Sequence, residues 1–188
     1  MVSRAQRRAS REKHNQAMLR YKNHRNRNQL AMPGQHDFVI VLDHLKAGFN
    51  VPKIFRSAEA FGAREVHLID IGPFDPAPAK GAFKKVPARF HDDFSQSYES
   101  LQQQGYTLYM LEPDGGEPLF QEELPKKSAF LFGHEEVGFS FDRSDYPGIR
   151  SVTVPQFGNV ESLNVSVAAS IVMYEYIRTW AAPEDRNS

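Results

Sequence analysis

Three polar stretches of the sequence carry side chains able to bind or orient a reacting group. The first, Asn50-Val51-Pro52-Lys53-Ile54-Phe55-Arg56-Ser57-Ala58-Glu59-Ala60-Phe61-Gly62, places Arg56 one helical turn beyond Pro52. Asn50 is expected to cap a helix, Pro52 suits its first turn, and Gly62 can close its end. Capping accounts for Asn50 and Gly62 but not for Arg56, which reads either as a surface ion-pair residue or as a member of a site. The second stretch, Leu131–Ser140 (LFGHEEVGFS), turns between Gly133 and Gly138. It is either a plain strand-to-helix turn with polar tips, or a loop whose Gly133 lets the backbone approach a ligand that Glu135 orients. Two glycines fall well short of a phosphate-binding motif. The third stretch, Val154–Ala168 (VPQFGNVESLNVSVA), gathers Glu161, Ser162 and Asn164 ahead of a long apolar segment. Ser162 is the expected N-cap there, and Asn164 falls in the first turn with its amide able to reach outward. That cluster is a candidate site, with capping alone as the alternative.

The elements that must position these stretches follow from the hydropathy pattern. Short, nearly continuous apolar runs at Phe38–Leu42, Val66–Ile69, Tyr106–Leu111, Ala129–Phe132 and Val152–Val154 read as strands covered on both faces, as in a parallel sheet. Val51–Phe61, Gln96–Gln104 and Leu163–Trp180 read as helices between and after them. The alternation gives an α/β domain, with the polar stretches at the carboxyl ends of strands, where such domains bind ligands. Gly72–Pro87, with four prolines, is expected to be a long loop with a function.

The net charge of zero conceals a division. Residues 1–36 hold Arg4, Arg7, Arg8, Arg11, Lys13, Arg20, Lys22, Arg25 and Arg27 against the single acid Glu12, a charge of +8, and the remainder carries −8. A basic arm on an acidic body is expected, with Met32-Pro33-Gly34 marking the boundary between residues 1–36 and a domain over 37–182, and 183–188 as a tail. The arm is either a solvated tail, helical in part, or a contact to nucleic-acid phosphates. The absence of cysteine excludes disulfides, Cys-ligated zinc and a thiol nucleophile. The seven histidines show no metal-ligand spacing, so no metal is expected. No apolar run is long enough to span a bilayer, and the absence of a signal-peptide pattern makes the cytoplasm the expected location.

The three stretches, in this order and at these separations, resemble the three motifs of the SpoU (TrmH) family of RNA methyltransferases. The likeness extends from about Phe38 to Arg178, and VESLNVSVAAS is its most specific part. The resemblance implies a mostly parallel α/β sheet flanked by helices, with a C-terminal trefoil knot that forms the cofactor pocket. It implies S-adenosylmethionine held at Gly133, Val154 and Leu163, largely through backbone groups, with Leu111 and Glu112 close by. It further implies methyl transfer to a ribose 2′-hydroxyl of tRNA or rRNA, with Arg56 as the central side chain and Asn50, Glu135, Ser162 and Asn164 orienting it, the phosphate and the ribose. An arginine keeps its proton to above about pH 12, so binding of the neighbouring phosphate is the preferred role for Arg56, and transient deprotonation the competing one. A homodimer built on the first and terminal helices of the domain is implied as well, for which Tyr174, Tyr176 and Trp180 are suited, although the same residues fit an ordinary core. RNA contacts are expected from Arg4, Arg7, Arg8, Arg11, Lys13, Arg20 and Lys22 of the arm and from Lys80, Lys84 and Lys85 of the proline-rich loop. Two positions depart from the family pattern: Pro52 and Glu136 stand where glycine is usual. A member that binds RNA without methylating it, and one that methylates a base, are the alternatives.

Overall fold

The computed structural model describes residues 3–181; the expected tail 183–188 lies outside them. The elements run α1 (Arg4–Asn28), β1 (Phe38–Asp43), α2 (Asn50–Ala60), β2 (Glu65–Ile69), β3 (Ala88–His91), α3 (Phe94–Gln103), β4 (Thr107–Leu111), β5 (Glu117–Pro118), β6 (Ser128–Phe132), β7 (Arg150–Thr153) and α4 (Val165–Trp180). The seven strands form one sheet in the order β3-β2-β1-β6-β4-β7-β5, every named pairing parallel. β1, β2 and β6 are buried at every position, which is why their sequences read as unbroken apolar runs rather than as alternation. Within β1, Phe38, Ile40 and Leu42 pack with α2 and α4, whereas Val39 and Val41 face Phe94 and Leu101 of α3. Two layers of helix therefore cover one sheet.

The expected strands and helices are all present, with shifted ends. Two further strands go beyond that expectation. β3 is only partly buried and carries Arg89 and His91, and β5 is two residues long, so neither has an apolar run to reveal it. Helix α4 begins at Val165, not Leu163, and Asn164 caps it in place of Ser162: Ser166 N donates to Asn164 Oδ1 at 3.0 Å. Asn50 is likewise not a cap. It is the first residue of α2, whose N-cap is Phe49, with no side-chain cap bond. Gly62 does close that helix, at a φ of 65° that favours glycine.

The basic arm is one 25-residue helix whose two halves differ. Residues 3–16 are exposed throughout. Farther along, Tyr21 is buried against the rings of Phe74 and Phe83, with centroids 5.3 and 5.7 Å away. Arg20 makes two hydrogen bonds to Asp75, at 3.1 and 2.8 Å. Asn28 donates to the carbonyls of Phe83 and Val86 and accepts from Ala88 N at 3.0 Å. The Gly72–Pro87 segment is thus folded into two short 3-10 turns, Ala77–Ala79 and Ala82–Lys84, pinned between α1 and α2. Asn28 supplies the hydrogen bonds that its backbone would otherwise lack. No helix among the described residues is long and apolar enough to cross a membrane.

Candidate active site

The strand order reverses between β1 and β6, and the loops leaving their carboxyl ends carry the first two polar stretches. A hydrogen-bonded relay crosses that point. Ser166 Oγ donates to Asn164 Oδ1 at 2.6 Å, Asn164 Nδ2 donates to Asn50 Oδ1 at 3.2 Å, and Asn50 Nδ2 donates to Glu135 Oε1 at 2.6 Å. All three stretches are joined by four side chains. Beside this, Lys46 Nζ lies 2.6 Å from Glu136 Oε1, so Glu136 is paired across the same two loops. The lysine holds the Glu136 carboxyl below its usual range.

The loop over 133–140 is fixed from below. Asp43, fully buried at the end of β1, accepts from Ser140 N at 2.6 Å and Ser140 Oγ at 2.8 Å. Burial pushes the Asp43 carboxyl up, partly offset by those two donors. His134 and Gly138 exchange backbone hydrogen bonds at 2.8 and 2.9 Å, and a Cβ on Gly133 would come within 2.8 Å of the Gly138 carbonyl. Only glycine fits there. Phe139 packs against Phe141 at 5.3 Å, and Phe141 stacks on Phe94 at 3.8 Å, anchoring the loop to α3.

This loop forms one wall of a cavity of about 340 Å³ at the carboxyl ends of β4, β6 and β7. Leu111, Glu112, Gly133, Val154 and Leu163 all line it, as do Glu135 and Ser162. His134, Phe139, Gln156 and Ala168 line it too, and their residue types do not mark them out in the sequence. Only their neighbours in the motifs hint at the cavity. Glu112 is held by the Ser151 hydroxyl.

Arg56 lies on the exposed side of α2, apart from the cavity lining, and makes no side-chain hydrogen bond among the described residues. Of the cations expected to meet RNA, Arg20 and Lys85 are engaged by Asp75 and Glu59, and Arg8 by Glu12. Arg4, Arg7, Arg11, Lys13, Lys22 and Lys80 are exposed, Lys84 only partly so. Tyr176 is buried, its hydroxyl donating to Lys126 O at 2.7 Å, and Trp180 Nε1 donates to Leu124 O at 2.8 Å. Both side chains are therefore held by the chain's own backbone, and Tyr176 is core. No group of three or more His, Asp or Glu able to hold a metal occurs among the described residues.

An apolar, glycine-walled cavity at strand carboxyl ends, bordered by a relay of amides and a carboxylate, defines an α/β protein that binds a small organic ligand next to a polar surface. The family model of the SpoU rRNA Methylase family matches residues 37–174. The chain is 31% identical over 149 residues to a tRNA (guanosine(18)-2'-O)-methyltransferase of Thermus thermophilus, covering 75% of this chain and 74% of that one. It is 29% identical over 150 residues to the 23S rRNA (guanosine-2'-O-)-methyltransferase RlmB of Xylella fastidiosa, covering 77% of this chain and 60% of the relative. The AdoMet-bound rRNA methyltransferase from Sinorhizobium meliloti shares the fold, with a TM-score of 0.70 at 20% identity over 83% of this chain and 61% of that one. The chain belongs to the SpoU rRNA methylase family.

Proposed function

We propose that the protein transfers a methyl group from S-adenosylmethionine to a ribose 2′-hydroxyl of tRNA or rRNA. The observation that carries this reading is the Ser166–Asn164–Asn50–Glu135 relay, whose Glu135 end lines the cavity. The cavity suits the cofactor: Leu111, Val154, Leu163 and Ala168 offer apolar surface to a base, and the Gly133 cradle is one that a Cβ would fill. Bound S-adenosylmethionine supplies an electrophilic methyl on a sulfonium. Backbone groups at Gly133, Val154 and Leu163 would hold it, with Leu111 and Glu112 also lining the cavity.

The chain's own side chains then have two tasks. Asn50, Glu135, Ser162 and Asn164 hold the ribose so that its 2′-oxygen lines up with the methyl, since an in-line displacement depends mainly on alignment. Arg56 binds the adjacent phosphate as a planar, permanently charged fork and stabilises the oxyanion that develops as the hydroxyl gives its proton to solvent, the methyl's bond to sulfur breaking as its bond to oxygen forms. The exposed first half of α1 contributes a phosphate contact through Arg4, Arg7, Arg8, Arg11 and Lys13, with Lys22, Lys80 and Lys84 extending it.

The same reading takes in the knotted C-terminal crossover, the cytoplasm as the working compartment, and a homodimer. Val167, Ile171 and Tyr174 form an exposed apolar stripe along α4, a pattern that suits a second copy of the chain. The deciding experiment incubates the protein with labelled S-adenosylmethionine and separate unmodified tRNA and rRNA pools, followed by nucleoside mass spectrometry. A 2′-O-methylnucleoside resistant to alkali in one pool supports the reading and names the substrate class. Label on a base, or no label with cofactor binding intact, overturns it in favour of a base methyltransferase or an RNA-binding protein without activity.

A further inference from the structure

Phe49 ends the loop between β1 and α2 and is 74% exposed. Lys53 Nζ lies 5.8 Å from the ring centroid. Residues 49, 53 and 56 recur at helical spacing, so Phe49, Lys53 and Arg56 follow one face of α2, and all three are exposed. Lys46 lies on the other side of the ring in sequence, in an exposed ion pair with Glu136. Such a pair is worth little in water and exchanges readily for another anion. The next residue, Asn50, is a member of the relay. An exposed aromatic ring with one lysine near its face, an arginine farther along the same helix face, a second lysine in the preceding loop and a relay residue next to it has the composition of a single-stranded nucleic-acid contact. Stacking supplies contact to any base there, and the cations track the backbone.

We infer that Phe49 is a stacking platform for a base of the RNA strand beside the reacting ribose, with Lys53 and Lys46 meeting the flanking phosphates. Lys46 leaves Glu136 for phosphate as the strand docks. The inference rests on the RNA-methylating reading and adds to it the path of the strand over the protein. A second copy of the chain is the less suitable occupant, because the centre of a subunit interface is depleted in lysine, whereas Lys53 lies near the Phe49 ring and Lys46 is exposed on the loop before it.

The test compares full-length Phe49→Ala, Phe49→Leu and Phe49→Trp with the wild type in RNA KM, kcat, cofactor affinity and sedimentation. Alanine and leucine are expected to raise the RNA KM about 5- to 160-fold, the range for removing one base–aromatic stack, with cofactor affinity and sedimentation unchanged. Tryptophan should restore most of the binding, and its emission should be quenched by RNA beyond any change at the native Trp180. Leucine behaving like phenylalanine would overturn the inference, because only apolar area would then be needed. Sedimentation altered by all three substitutions would overturn it too, by placing the ring in a subunit seam. A wild type that methylates no RNA defeats the underlying reading, and this inference with it; an active wild type whose RNA KM ignores Phe49 defeats the inference alone.

Discussion

Asn50 and Glu135 are 85 residues apart in the chain and 2.6 Å apart in space, joined amide to carboxylate at the point where the strand order reverses. Neither residue caps a helix, so local structure does not explain their presence. Asn50→Ala is expected to lower kcat/KM for RNA about 10²-fold, the scale of a misplaced reacting group. Both side chains are at least partly exposed, so the melting temperature should move little. Full activity in Asn50→Ala would remove the relay from the mechanism.

Arg56 tests charge against geometry. Arg56→Ala is expected to cost about 10²- to 10³-fold in kcat, as for removal of one oxyanion donor. Arg56→Lys keeps the charge but not the bidentate fork and should recover part of the rate if the residue anchors a phosphate. A lysine variant as dead as alanine at every pH would instead assign Arg56 a role that only a guanidinium can fill.

Gly133→Ala should abolish cofactor binding in calorimetry while the protein still folds. The added methyl meets the Gly138 carbonyl at 2.8 Å, and a backbone atom cannot yield as a side chain would. Retained affinity would show that the 133–138 turn adapts.

The two halves of α1 should separate by measurement. Removing residues 1–16 should weaken RNA binding and flatten its salt dependence, by up to about 0.7–0.9 in slope for each phosphate no longer neutralised, while sparing cofactor affinity. Tyr21→Ala, by contrast, should destabilise the whole domain by about 3–5 kcal/mol, the usual cost of truncating a buried aromatic. A Tyr21→Ala protein as stable as wild type in urea would make the helix a mere appendage.

Stability should fall on the acid side, because of a buried cluster at the β2–β3 edge. His67 bonds Ser97 at 2.7 Å and Glu65 at 3.1 Å, Arg89 reaches Glu65 at 2.9 Å, and His91 sits 3.1 Å from His67. Burial and then the charge of His67 push His91 down from 6.5 to about 4. The unfolded chain therefore binds the extra proton first, and stability is lost as pH falls from 6.5 towards 4. Burial pushes the Glu65 carboxyl up, but His67 and Arg89 outweigh it and hold it at about 2 instead of 4.5. Its contribution is whole above 4.5 and disappears on the way down to 2. Urea melts at pH 7, 5.5 and 4 should show this trend, and His91→Asn should weaken it in the upper window. An unchanged slope would place the titration elsewhere.

The sequence alone was enough for the parallel α/β plan, because strands buried on both faces must be apolar throughout, as in Phe38–Asp43 and Ser128–Phe132. It also pointed to part of the cavity wall, Leu111, Glu112, Gly133, Val154 and Leu163, through a resemblance whose most specific motif holds Leu163 and Asn164, but not to His134, Phe139, Gln156 or Ala168. It misled where a local rule competed with a long-range partner. Ser162 looks like a cap, but Asn164 takes the position because its carbonyl oxygen serves the helix while its amide reaches Asn50. Arg20, expected to meet RNA, has a partner that the sequence does not suggest, Asp75, 55 residues away. The docking of α1 was invisible as periodicity, since one tyrosine and one asparagine do the anchoring. Tertiary structure alone decided those pairings: a side chain's hydrogen-bond partner across 50 or 100 residues depends on where the sheet brings two loops, and no local spacing encodes that distance.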